Sequence, residues 1–163
     1  MSEKKKPKKH PPSSNDFEPA NDGVDHINVY SRGKTKLGKL MSNFAHTPFT
    51  YHGKTYQSIE GALYYYRTED DRLIAMHGSQ AKKLGSSLKE KQIETPAMIK
   101  SWIYAKLFAN PEIIDLLLQN NLPYAHYYIM YGRKIPAGIS LPEIWREVTD
   151  ELNRIYKTKK TRK

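Results

Sequence analysis

The stretch from Gly38 to Arg67 gathers the residues of this chain best suited to chemistry. Glu60 is its only acid, accompanied by Asn43, His46, His52 and a run of aromatics ending in Tyr64-Tyr65-Tyr66. A lysine-rich lead-in, Ser31-Arg32-Gly33-Lys34-Thr35-Lys36, comes before it. A carboxylate can stabilise positive charge that develops on a reacting group. A lysine of depressed pKa can attack a carbonyl carbon and form a Schiff base. Both residue types also have ordinary uses. An acid in the first turn of a helix is favoured by the positive end of the helix dipole, and lysines in loops are mostly solvated or grip phosphate.

Other chemistries lack their residues. Without cysteine there is no disulfide frame, no thiolate nucleophile and no sulfur-based zinc site. His46 and His52 flank Phe49 across a loop and a hairpin, and neither HxH nor HExxH occurs, so no metal is expected. Nucleophile elbow, phosphate loop and dinucleotide fingerprint are all missing, and no cofactor is expected. Residue chemistry alone therefore reaches only a domain with basic arms.

The elements that must position these residues follow from local signals. His26-Ile27-Asn28-Val29-Tyr30 alternates polar and apolar side chains, which predicts a short strand. Ser31–Lys39, with two glycines and its lysines, reads as a loop. Phe49-Thr50-Tyr51 and Lys54-Thr55-Tyr56 flank His52-Gly53, a hairpin with glycine in the turn. Ser58 then caps a helix that runs to about Arg67 and carries Glu60 in its first turn. Glu69-Asp70-Asp71 caps a second helix to about Met76, Gly78-Ser79 breaks it, and Ser79 caps another over Gln80–Leu84 that stops at Gly85. Thr95-Pro96 and Pro111 open two more helices, and proline suits a first helical position. Leu122–Gly132 reads as irregular and aromatic, a buried extended segment. Leu141-Pro142 begins the last helix, with Ile144, Trp145, Val148, Leu152 and Ile155 on one face. The expected fold class is α+β, mainly helical, a single domain with one small β-hairpin sheet.

Charge divides the chain. Residues 1–12 carry a net charge of +4 and residues 154–163 a net charge of +6, which together make the whole formal charge of +10. The intervening segment is neutral. Residues 1–23 hold almost no large apolar side chain except Phe17, too few to bury themselves, and read as a disordered basic arm. The domain is expected over 24–156, with ordered structure from near Asp25 and a disordered basic tail over 157–163. Lysine arms neutralise phosphates without reading sequence, so nucleic acid is the partner that the charge favours. No run of apolar residues is long enough to span a membrane, and the start of the chain lacks a signal-peptide core, so the cytoplasm is the expected location.

Leu40-Met41-Ser42-Asn43-Phe44, Thr47-Pro48-Phe49 and Gly53 through Gly61 resemble the signature of the NADAR superfamily, also called YbiA-like. Ala81-Lys82-Lys83-Leu84-Gly85, Ala105-Lys106-Leu107-Phe108 and Asn110-Pro111 resemble its later segments. Similar features run in order from Ile27 to the last helix. Val29-Tyr30-Ser31, Ala45-His46-Thr47, Ile59-Glu60-Gly61 and His126-Tyr127-Tyr128 resemble the antitoxin-type branch found with DarT-type DNA ADP-ribosyltransferase toxins.

The resemblance implies a YbiA-like fold and N-glycosidase chemistry. The antitoxin-type branch removes ADP-ribose from guanine in DNA, so ADP-ribosylated DNA would be the substrate, ADP-ribose the product and a toxin of that type a partner. Another branch is associated with ribosylamino-pyrimidines of the riboflavin pathway. A module that binds NAD or ADP-ribose without catalysis is a further reading. Breaking the bond from C1 of a ribose to a base nitrogen develops positive charge on the sugar, and the family motif places Glu60 there. The branch also implies a catalytic lysine in the lead-in, a position for which Lys34, Lys36 and Lys39 compete and Lys34 is favoured. Ser42 and Asn43 would bind ribose or the base edge, and Phe44 and Tyr64 would stack on a base. Arg67 would meet the pyrophosphate and His126 a phosphate or base. Tyr64 and Arg67 stand where the family often has Gln and Lys.

Overall fold

Capping side chains at Ser58 and Thr95 start two helices where the sequence signals them, whereas the helix expected after Ser79 begins at Gly78 behind His77 with no side-chain cap. The structure, a computed structural model, describes residues 16–137 and 140–161, with side chains as far as 157. Six α-helices are present among them: α1 (Lys36–Met41), α2 (Ile59–Thr68), α3 (Gly78–Gly85), α4 (Pro96–Ala109), α5 (Pro111–Gln119) and α6 (Leu141–Thr161). Ser58 Oγ accepts the Gly61 N–H at 3.1 Å and Thr95 Oγ1 accepts that of Met98 at 3.3 Å, so each satisfies an orphan donor of its first turn. The last helix runs on to Thr161, so the backbone of the basic C-terminal run is helical as far as that residue.

The β structure is three two-stranded pieces among the described residues, where the sequence suggests one. Strand β1 (Ile27–Asn28) pairs in parallel with β4 (Tyr124–Ala125). β2 (Phe49–Tyr51) and β3 (Lys54–Tyr56) form the expected hairpin, and β5 (Tyr127–Met130) and β6 (Arg133–Pro136) form a second. The second hairpin falls where the sequence reads as irregular, because its pairing rests partly on distant groups. The Asn28 side chain donates to Tyr127 O at 3.0 Å and accepts from Tyr127 N at 3.0 Å.

Helix α1 replaces part of the expected loop. Thr35 Oγ1 accepts the Gly38 N–H at 2.9 Å, and Leu37 and Met41, one turn apart, bury on the same face. The ordered chain also begins before Asp25. Phe17 stacks on His26 with ring centroids 4.7 Å apart, and its carbonyl accepts from Lys134 Nζ at 2.6 Å. Asp22, also assigned to the arm by sequence, is buried and accepts from Asn28 N at 3.0 Å and Lys34 N at 2.8 Å. That carboxylate fixes the course of the lead-in loop. Residues 1–15 lie outside the described residues.

One core joins α2, α4, α5 and α6. Trp145, Phe49, Ile103, Leu107 and Leu117 are buried in it, each worth roughly 1.5–3 kcal/mol for side chains of this size. Ile155, expected on the buried face of the last helix, is instead half exposed. No helix among the described residues is long and apolar enough to cross a membrane.

Candidate active site

The cap at Ser58 sets the first turn of α2, and the turn then ties itself to the preceding loop. The Glu60 N–H, which has no partner within its own helix, donates to Asn43 O at 3.0 Å. In that loop the Phe44 N–H donates to Ser42 Oγ at 3.1 Å, and Ser42 O accepts from Lys106 Nζ at 3.1 Å. Loop 42–44 is therefore held by α2 on one side and by the core on the other.

Above it lies a cavity of about 670 Å³, within the usual range of small-molecule sites. Ser42, Asn43, Phe44, Glu60, Tyr64, Arg67 and His126 all line it. The structure thus brings together seven residues that the sequence selects. Lys34 is not among the lining residues: its ammonium donates to Ala20 O at 3.1 Å at the surface. Lys36 and Lys39 point outward from α1 and line no part of the cavity either. Of the lead-in, Ser31 and Arg32 reach the wall, as does Tyr30 just before it.

Lys82 is the lysine of the cavity, and sequence reasoning gave it no role. Its Nζ lies 5.6 Å from the ring centroid of Phe44 and 5.6 Å from that of Tyr128, the geometry of a cation held between two π faces. Two glycines put it there. A Cβ on Gly78 would stand 2.3 Å from Phe44 Cα, and one on Gly85 would stand 2.3 Å from the Tyr64 ring. Helix α3 can lie against the loop and α2 only because both positions have no side chain. Glycines seven residues apart, spanning two turns about a lysine, are the sequence signal for this packing.

Electrostatics single out Glu60. Burial pushes its carboxyl up to about 7, and Lys82 and then Arg67 offset only part of that. The carboxyl therefore changes state near neutral pH, where a proton-transferring group works best. Arg67 carries its own partners. Its Nε donates to Glu94 Oε1 at 2.8 Å, Glu94 and Glu90 both pair with the guanidinium, and the Glu94 bond is the main reason that its pKa is raised. Its guanidinium also lies 5.3 Å from the Tyr64 ring centroid. His126 donates from Nδ1 to Val29 O at 2.6 Å, and burial lowers its pKa. Asn43 Oδ1 is buried with no partner in the protein, an acceptor on the cavity wall. Among the described residues, no group of three His, Asp or Glu is placed to hold a metal.

Helices arranged around a loop and small hairpins make an α+β fold, and that fold is already represented by a solved structure. The chain resembles the NMR structure of the Escherichia coli protein YbiA with a TM-score of 0.58 and 18% sequence identity, over 84% of this chain and 88% of that one. The fold is YbiA-like. No protein-family profile and no curated protein sequence matches the chain.

Proposed function

We propose that the protein is an N-glycosidase that removes ADP-ribose from guanine bases in DNA and so reverses the modification made by an ADP-ribosyltransferase toxin. The observation that carries this reading is the buried Glu60 carboxyl with its pKa near 7, set beside Lys82 and aromatic rings in one cavity. The YbiA-like fold and the motif resemblance point to the same reaction class.

In the reaction, the bond from ribose C1 to the guanine nitrogen breaks and its electron pair stays on the base, which takes up a proton from solvent, to which Glu60 later returns the one it accepts. The ionised Glu60 faces the positive charge left on the sugar. Water adds to C1, Glu60 accepts its proton, and ADP-ribose leaves with unmodified guanine in the strand. Asn43 Oδ1 meets a ribose hydroxyl, Phe44 and Tyr64 offer faces to a base, and Lys82 meets the diphosphate. If instead an uncharged lysine amine displaces the guanine nitrogen at C1, and the ring opens to a Schiff base that water then hydrolyses, our candidate for that amine is Lys82, which lines the cavity, over Lys34, which does not. Arg67, engaged by Glu94 and Glu90, shapes the wall more than it binds phosphate.

The basic segments favour DNA over a small ribosylamino-pyrimidine, because a free pyrimidine needs no polycation. Incubation with an ADP-ribosylated oligonucleotide tests the reading: plain guanine and free ADP-ribose are expected. An enzyme inert on that substrate but active on ribosylamino-pyrimidine phosphates would overturn it in favour of the riboflavin-type activity. Binding of ADP-ribose with no release of base from either substrate would make the protein a binding module.

A further inference from the structure

The β5–β6 hairpin closes with Met130 paired to Arg133 across the two-residue turn Tyr131-Gly132. Both turn residues have positive φ, 51° and 72°. Such a turn suits the twist of the strands, and its first position favours Asn, Asp or Gly. A bulky aromatic there is held in a conformation that L-residues rarely adopt. The β2–β3 hairpin has the same construction, with His52 at 48° and Gly53 at 78°. There the histidine ring lies flat on Tyr51, centroids 4.1 Å apart and planes 8° apart. Tyr131 has no such internal contact: it is 99% exposed. Nothing within the fold explains the ring.

The position of the hairpin does. Its side chains alternate, as strand residues must. Tyr128 and Met130 line the cavity, while Tyr127 and Ile129 pack on Phe17 behind it. The strained ring is thus the residue next to a cavity-wall residue, at the outer end of that wall. One exposed cation, Arg133, closes the turn, and another, Arg32, lines the cavity whose wall the hairpin forms. Stacking on a base is the use of an exposed aromatic that tolerates any sequence, and arginines beside it suit the adjoining phosphates.

We propose that Tyr131 is a stacking platform for a nucleobase of a single strand whose modified base occupies the cavity, with Arg133 and Arg32 meeting the flanking phosphates. The inference rests on the proposed function for what the cavity holds, but its principal test does not. That test measures the anisotropy of a labelled, unmodified single-stranded oligonucleotide with the full chain, at a salt concentration high enough to weaken lysine–phosphate contacts. Tyr131→Asn removes the ring and installs the favoured Asn-Gly turn, so the hairpin is kept. Its affinity is expected to fall about tenfold, while Tyr131→Phe stays close to the parent protein. Binding by Tyr131→Asn equal to the parent, a Phe variant as weak as the Asn variant, or no binding by the parent would each overturn the proposal.

A second measurement compares kcat/KM on an ADP-ribosylated oligonucleotide and on ADP-ribosyl guanosine. Tyr131→Asn is expected to lower the ratio of the two, and an unchanged ratio would overturn the stacking role. If the parent releases ADP-ribose from neither, the proposed function falls and the anisotropy result still decides the role of Tyr131.

Discussion

Glu60 and Lys106 are both buried ionisable groups, and burial moves both toward about 7, the acid from below and the base from above. They lie on either side of loop 42–44. Glu60 sends its backbone N–H to Asn43 O, and Lys106 sends its ammonium to Ser42 O. Yet Glu60 opens on the cavity and Lys106 is 0% exposed, with its Nζ 5.8 Å from the Trp145 ring centroid. A shifted pKa is therefore no mark of catalysis by itself. What separates the two is access: only Glu60 can exchange a proton with something that arrives. Lys106 holds the loop from below.

The sharpest way to break that distinction is Glu60→Gln. Turnover should fall by about a hundredfold or more, measured on ADP-ribosylated oligonucleotide. Stability should move the other way. With a folded pKa of about 7 against an ordinary 4.5, the stabilising effect of a neutral Glu60 is fully present below 4.5 and is lost as pH rises through 7. The Gln variant lacks that loss, so above neutral pH its melts should show a gain of up to about 3 kcal/mol that fades toward acid. Unchanged turnover would remove Glu60 from the mechanism.

Lys106→Met sharpens the comparison from the core side. It keeps the stem's volume and removes the ammonium. Here the folded pKa is lowered from 10.5 to about 7, so the stability contributed by a neutral Lys106 is present above 10.5 and is lost as pH falls through 7. The Met variant should lack this loss in melts between alkaline and neutral pH. Its turnover should drop on the order of tenfold, through displacement of Ser42 and Asn43. A loss as deep as that of Glu60→Gln would mean that Lys106 reaches the reacting atoms.

The smallest effect expected is a shift in a profile. Lys82 holds the Glu60 pKa down, so Lys82→Met should move the limb of the pH–rate curve that reports Glu60 to higher pH. Lys34→Met should leave that limb where it is. Borohydride added during turnover offers a companion test, since an adduct, if one forms, should map to Lys82. An adduct on Lys34 would restore the lead-in lysine.

The elements that local signals define were legible. Ser58, Thr95, Pro111 and Gly53 each act within a few residues, and the helices and first hairpin fall where they indicate. Helix α1 was hidden because its two buried large side chains, Leu37 and Met41, are spaced among lysines and a glycine. The second hairpin was hidden because Asn28, about a hundred residues away, supplies part of its hydrogen bonding. The site divides in the same way. The loop and the α2 residues adjoin in sequence through the motif and also in space. Lys34 lies off the cavity wall because a buried Asp22, assigned to the arm, governs the course of its loop. Lys82 reaches the cavity through a helix-to-loop approach that only Gly78 and Gly85 permit.

Phe17 gives the molecule one more property. Stacked on His26 and bonded to Lys134, it roots the chain on the rear face of the hairpin whose front face lines the cavity. The lysines of residues 4–9 lie within fifteen residues of that root, so whatever path they take they stay within about 50 Å of it. Their charge is thus tied through the chain to the domain that carries the cavity. On the proposed function, a strand gripped by those lysines would be held near the domain that carries Glu60, so that the modified base would be sought among the nucleotides in reach instead of through bulk solution.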